Sequence, residues 1–264
     1  MAPDNLRYRD APARRGAIID QLKNLGFLTI GEVAKELGVS EMTVRRDARR
    51  LHEEGRLIAL RGTLRLPSSH DESETEYQRR AAAATTAKEM VGRIAASEVL
   101  PGDVIAIDAG TTAFQVARAL PEDFDGTVVT HSIPVLDLLI DRPMTKTIAL
   151  GGDLYRPSRA LVGSFTVECA QRLSVRTFYM GAAAVDERGV YALGDVERLV
   201  KQTLMSIADR VVLVIDNRKF DVKAPVFMCD WSRFSLVVSD QVPPDQITAL
   251  LRQKNIQIQV ASEG

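Results

Sequence analysis

Only two cysteines occur in 264 residues, Cys169 and Cys229, sixty positions apart and with no Cys or His at metal-ligand spacing. This excludes a disulfide framework or a zinc site as an organising feature; buried, inert thiols are expected, and neither a metal nor a cofactor is anticipated. Long apolar runs are missing too: nothing approaches the roughly 20 residues that a membrane-crossing helix needs. Met1 to Asp20 carry charges throughout and lack the apolar stretch of about 7 to 15 residues that marks a secretory signal. A cytoplasmic location and no membrane partner are expected. Net charge is the last absence, with 34 Lys and Arg against 35 Asp and Glu.

That balance conceals an asymmetry. Residues 1–66 hold 13 Lys and Arg against 9 Asp and Glu, a net of +4, and the remainder holds 21 against 26, a net of −5. A small module for a polyanion, joined to a larger body that would not bind one, follows from the difference in sign. With 45% hydrophobic and 26% charged residues the composition is that of an ordinary globular protein, long enough for one small and one medium domain with separate cores.

In the basic part, apolar residues recur at helical spacing in three short segments: Ile18, Leu22 and Leu25; Ile30, Val33, Ala34 and Leu37; Val44, Ala48 and Leu51. Gly38 can take the left-handed conformation that ends the second helix, and Ser40 can cap the third. Thr29 can cap the second through the backbone N–H of Glu32. The result is a tight helix-turn-helix. Its third helix turns Thr43, Arg45, Arg46, Arg49 and Arg50 away from the buried stripe. Arginine forks onto guanine edges or holds phosphates, and the first residues of a recognition helix are those that reach bases. Ser40, Thr43, Arg45, Arg46 and Arg49 are therefore the candidate contacts to a double-stranded DNA operator. Residues 56–66 read as two short strands turning near Gly62, a wing with Arg61 at its tip. Taken alone, the arginines could be a solvated face; the order helix, helix, glycine turn, capped helix, basic hairpin favours DNA.

The stretch Arg15 to Leu60 resembles the DeoR family of bacterial regulators, above all in Val39-Ser40-Glu41-Met42-Thr43-Val44-Arg45-Arg46-Asp47 and in Leu51 with Glu53-Glu54-Gly55. The resemblance implies a winged helix-turn-helix, third helix in the major groove, in a protein that usually represses. Gly62-Thr63 departs from the double glycine usual at the wing.

Domains are expected at 1–67 and 81–264, separated by a linker at 68–80, where Pro67-Ser68-Ser69 breaks any regular element and an acidic run follows. Beyond it, short apolar runs alternate with helical patterns: strands near 104–107, 127–130, 146–150, 177–180, 211–215 and 236–238, and helices at 88–96, 113–120 and 133–140. Repeated βα units imply a mostly parallel sheet with helices on its faces, binding ligands beyond the carboxyl ends of its strands. Polar residues collect there: Asp108 to Thr112, including Gly110 and Thr111; Thr130-His131-Ser132; Gly151-Gly152; Gly181; and Asp216 to Lys219. Asp108-Ala109-Gly110-Thr111-Thr112 ends a strand and opens a helix, so it reads either as a phosphate cradle or as a tight turn with a capping threonine.

In order, the blocks Ile107 to Thr112, Thr130 to Pro134, Leu150 to Gly152, Leu161 to Gly163, Glu197 to Lys201 and Asp216 to Phe220 resemble the DeoR-type sensor domain, similar in fold to ribose-5-phosphate isomerase and to coenzyme A transferases. The resemblance implies a phosphorylated sugar or related metabolite as effector, Thr111 and Thr112 near its phosphate, and Asp108, Glu197, Lys201 and Lys219 around the sugar. Two positions depart from the family: His131 stands where asparagine is usual, and Ala183-Ala184 where an acidic residue and glycine are common. The function expected is a sequence-specific transcription regulator, a repressor of a carbohydrate operon, acting as a homodimer or homotetramer. The alternatives are a sugar-phosphate isomerase or deaminase on the same fold, with Asp108 or Glu197 as base, and a constitutive DNA-binding protein that has lost its ligand.

Overall fold

Residues 10–25, 27–60, 63–66 and 77–261 are described by the computed structural model. The chain divides into two units, Met1–Glu72 and Ser73–Gly264.

The first unit begins with α1 (Ala11–Leu25) and β1 (Phe27–Thr29), followed by α2 (Ile30–Leu37) and α3 (Glu41–Glu53), and closes with β2 (Ile58–Leu60) and β3 (Thr63–Arg65). Caps set the helix boundaries. Thr29 and Glu32 form a reciprocal capping box, Gly38 ends α2 at φ 63° and ψ 34°, and the Ser40 side chain accepts from the Thr43 N–H. Ile18, Leu22, Val33, Leu37, Val44, Ala48, Leu51, Leu57 and Leu64 share one core. The strands form an antiparallel sheet in the order β1-β3-β2. Strand β1 is not foreseen by the sequence pattern, because three residues carry no readable period. Arg61 and Gly62, the expected wing tip, lie outside the described residues.

In the second unit a seven-stranded sheet, every neighbouring pair parallel, runs in the order β15-β14-β12-β9-β4-β5-β6. Its strands are β4 (Val104–Ile107), β5 (Thr127–Thr130), β6 (Lys146–Ala149), β9 (Val175–Met180), β12 (Ala208–Ile215), β14 (Leu236–Ser239) and β15 (Gln257–Val260). Successive side chains of a strand point to opposite faces, so a sheet covered on both sides feeds two cores. Ile105, Ile107, Val212, Val214, Leu236 and Val238 pack with α5 (Thr85–Ser97), α6 (Thr111–Ala119) and α7 (Ile133–Leu139). Ala106, Leu213, Ile215 and Val237 pack on the other face with α8 (Ser164–Gln171), α9 (Arg198–Ser206) and α10 (Asp245–Gln253). Helices α5 and α6 lie so close that a Cβ on Gly92 would stand 2.6 Å from Gln115.

A hairpin of β7 (Asp153–Tyr155) and β8 (Ala160–Val162), and a small antiparallel sheet of β10 (Ala184–Asp186), β11 (Gly189–Ala192) and β13 (Val226–Cys229), complete the unit. The expected linker at 68–80 is corrected at its end. Residues 77–82 form a short helix, α4, belonging to the second unit. Tyr77 is buried there, with the Arg159 guanidinium 5.3 Å above its ring, so the polar composition that suggested a linker conceals an anchor. Residues 68–76 of the expected linker, and Pro67 at the end of the expected first domain, lie outside the described residues.

Candidate functional site

Helix α3 turns Val44, Asp47, Ala48 and Leu51 inward, and it leaves Arg45, Arg46, Arg49 and Arg50 exposed, with Thr43 half-buried. The Ser40 and Thr43 hydroxyls lie 2.9 Å apart, so both contribute to the cap that orients the helix. Arg45 leans on Glu41 at 3.5 Å and Arg50 on Glu54 at 3.2 Å. Among the described residues Arg46 and Arg49 make no ion pair, which leaves two cations on this face for an external anion. Asp47 is buried, holding Arg14 of α1 in an ion pair, with Arg15 at 3.7 Å. The last residue of the Ser-x-x-Thr-Val-Arg-Arg-Asp block therefore braces the recognition helix from behind, a role periodicity alone does not disclose.

In the second unit a cavity of about 340 Å³ opens beyond the carboxyl ends of β4 and β9. Asp108, Gly110, Thr111, Thr112, Glu197, Lys201 and Lys219 all line it, joined by Arg80 and by Ala182 and Ala183. Gly110 precedes α6 and gives it no side-chain cap, so the first N–H groups of that helix keep the electropositive end that suits an anion. Glu197 carries a buried carboxylate oxygen that no hydrogen bond from the described residues occupies.

Asp108 is fully buried at the cavity floor. It accepts from the Gly181 N–H at 3.0 Å and from the Lys201 ammonium, and His131 Nε2 lies 3.2 Å from its other oxygen. Burial alone would raise the Asp108 carboxyl. The Lys201 ammonium and the His131 contact outweigh it and hold the group well below the usual carboxylate range. Burial likewise works against the Lys201 charge, but Asp108 and then Glu197 push its pKa above the ordinary lysine value. The floor is thus a closed ion pair. Besides that pair, the charged residues of the lining are Arg80, Lys219 and Glu197. Burial lowers Lys219, opposed by Asp216 and reinforced by Arg218 and Arg80. Behind it, Lys88 falls to about 8, chiefly through burial.

Other strand-end residues stand apart from the cavity wall. His131 is buried behind Asp108, its Nδ1 3.0 Å from the Leu161 carbonyl oxygen and its Nε2 3.2 Å from the Ala109 backbone nitrogen. Ser132 caps α7. Gly151 and Gly152 form a turn packed on Thr166, where a Cβ on Gly152 would lie 2.1 Å from the Thr166 hydroxyl. These four support the site's frame rather than meeting its space. Arg80 is the charged lining residue that sequence reading missed, since it falls in what read as linker, and the apolar or aromatic Met180, Tyr191, Leu193 and Met228 were missed with it; an arginine directly before an alanine-rich helix start was the signal available for Arg80.

A recognition helix with outward arginines in one unit, and in the other a polar, electropositive cavity at the strand ends of a parallel sheet, define a ligand-responsive DNA-binding regulator. Both parts match known families: residues 14–70 match the DeoR-like helix-turn-helix domain and residues 83–241 the DeoR C terminal sensor domain. The chain belongs to the DeoR family of transcription regulators. It is 29% identical to the HTH-type transcriptional repressor GlcR of Bacillus subtilis over 94% of this chain and 95% of that protein. It is 28% identical to the glycerol-3-phosphate regulon repressor of Escherichia coli over 94% and 98%. Ribose 5-phosphate isomerase A of Methanocaldococcus jannaschii is similar over 50% of this chain and 53% of its own, at 18% identity and a TM-score of 0.37. Among the described residues no helix is long and apolar enough to cross a membrane.

Proposed function

We propose that the protein represses a carbohydrate-related operon and that a phosphorylated sugar or polyol, bound in the second unit's cavity, controls its affinity for DNA. The observation that carries this reading is the meeting of Arg80, Lys219 and the uncapped start of α6 on one cavity that also holds the unoccupied Glu197 oxygen. The cations and helix N–H groups suit a phosphate, and the carboxylate suits a sugar hydroxyl. Asp108 and Lys201 satisfy each other, which favours binding over turnover and makes the protein a sensor rather than an isomerase or deaminase. Ser40, Thr43, Arg45, Arg46, Arg49 and Arg61 are assigned to the operator, and Asp108, Gly110, Thr111, Thr112, Glu197, Lys201 and Lys219 to the effector. His131, Ser132, Gly151 and Gly152 shape the effector site from behind. A symmetric homo-oligomer in the cytoplasm, reading a two-fold operator with one recognition helix per half-site, completes the reading. The relatives named as repressors of GlcR type and of the glycerol-3-phosphate regulon support it.

The test is a titration of the protein against its own promoter DNA, at constant ionic strength, with a panel of sugar and polyol phosphates. At least one compound is expected to shift operator affinity by about 5- to 150-fold, the usual range of allosteric coupling. Tight operator binding that no member of the panel shifts would overturn the sensor reading.

A further inference from the structure

Helix α4, residues 77–82, is the first described element after the segment that joins the two units. It carries a residue of the cavity wall, Arg80, and is held by contacts within the second unit. The Arg80 guanidinium donates to the Pro157 carbonyl at 2.6 Å, the Tyr77 ring lies beneath the Arg159 guanidinium, and Lys88 donates its ammonium to the Arg80 carbonyl. Pro157 and Arg159 belong to one turn, residues 156–159, which continues into β8. From there Leu161 exchanges hydrogen bonds with His131, its N–H donating to the His131 carbonyl at 2.7 Å, and His131 lies against Asp108. The far end of α4 is a break rather than a continuation. Ala84, which precedes α5, sits in the left-handed region at φ 51° and ψ 46°, with no side-chain cap. A non-glycine residue there is held at a cost, a mark of segments with a second accessible arrangement.

Resting on the reading of the cavity as an anion site, we propose that Arg80 binds the anionic group of the occupant directly. We further propose that the clasp of α4 on the 156–159 turn is the element through which occupancy reaches the segment leading to the DNA-binding unit. A guanidinium carries five N–H donors in a rigid fork, so one side chain can hold the Pro157 carbonyl and meet a phosphate oxygen together. An occupant then favours the clasped state of α4 over the released one, which is the differential affinity that a population shift requires. Lysine in place of Arg80 supplies the charge but not the fork. Its three donors radiate from one atom, so it cannot set separate nitrogens on the anion and on the carbonyl as the fork does.

The experiment uses the full-length protein, with inorganic phosphate and ribose 5-phosphate as cavity probes, and reads probe binding by calorimetry and operator affinity with and without probe. R80A is expected to bind the probe about tenfold or more weakly, the weight of a lost charge-assisted hydrogen bond. R80K is expected to keep probe affinity within about threefold, because it retains the charge, while losing most of the probe's effect on operator affinity. Y77A lies outside the cavity lining; it should keep both probe and operator binding and lose the coupling between them. A melting curve for each variant separates these outcomes from unfolding, and Y77F, which retains the ring, should restore the coupling. If wild type and R80A bind the probe equally, Arg80 is not a ligand; if Y77A couples normally, the clasp is not the relay. Absence of probe binding to the wild type would instead overturn the cavity reading, and this inference with it.

Discussion

At the residue scale the cavity floor depends on one charge held against burial. Asp108 and Lys201 lie in an interior that would favour neither ion alone, and each keeps its charge because the other is there. Removing one partner strands the other, which typically costs about 3–5 kcal/mol, whereas replacing both by apolar or neutral groups is far less damaging. K201M is therefore expected to lower the stability of the second unit by that amount, and D108N/K201M to recover most of it, read from denaturation midpoints. The pH dependence follows from the two directions. The depressed Asp108 contributes stability above the unfolded carboxylate value near 4, lost as pH falls through its folded pKa; the raised Lys201 contributes below the unfolded lysine value near 10.5, lost as pH rises through its own. The gap between wild type and double variant should thus be flat from about pH 5 to 9 and shrink in acid. A gap that grew on acidification would mean the pair is not ionised in the fold. Asp108 was legible in the sequence as a polar residue closing an apolar strand. Its partner was not: Lys201 lies 93 positions away on α9, and only the sheet order brings them together. From residue pattern alone Lys201 is an ordinary helical lysine, and the family resemblance supplied it.

At the scale of elements, the recognition helix depends on what lies behind it. Asp47 ties α3 to α1 through Arg14, both side chains almost wholly buried, in a unit whose core is about a dozen side chains. D47A removes the buried carboxylate that holds the Arg14 guanidinium, at about 3–5 kcal/mol. A domain of some 60 residues commands about 3–9 kcal/mol in total. The expected outcome is a first unit that loses at least about a third of its stability, seen as a lowered melting midpoint, and an operator affinity weakened without any DNA-facing side chain being changed. R46A, in contrast, should leave the melting curve unaltered and weaken operator binding by about 1–3 kcal/mol if it reads a base. If D47A bound DNA with a normal melting curve, the brace would be dispensable. The helices of this unit were legible because capping residues and period 3.6 agree at each boundary, from Thr29 and Glu32 to Gly38 and Ser40. Six of the seven strands of the parallel sheet were legible as apolar runs; β15, where Gln257 and Gln259 interrupt the apolar residues, was not. The three-residue strands β1, β7, β8 and β10 were not, because at that length pairing partners decide the structure and local pattern does not. Tyr77 and Arg80 were concealed for a related reason: polar composition describes a segment's average, while two anchored side chains decide where it lies.

At the scale of the whole molecule, a phosphate compound that weakens operator binding can do so in two ways that a single titration confuses. It can bind the cavity and favour one state of the regulator, or it can act as salt, since DNA binding by arginines is weakened by any electrolyte through counterion release. The two differ in reciprocity. If occupancy lowers operator affinity by a given factor, the operator must lower occupant affinity by the same factor, and a tenfold effect in either direction corresponds to about 1.4 kcal/mol of coupling. A salt effect carries no such obligation toward a saturable cavity. T111D separates the cases, because Thr111 opens α6 on the cavity wall. A carboxylate there suits the helix start while placing negative charge where the phosphate would lie. The variant is expected to fold, to bind the operator within about threefold of wild type or with the affinity of the occupied state, and to lose its response to sugar phosphates. Which of the two affinities it shows tells whether the aspartate merely blocks the site or also mimics the occupant. A response equal to that of the wild type, at matched ionic strength, would mean that the compound acts on the DNA interface and that the cavity is a bystander.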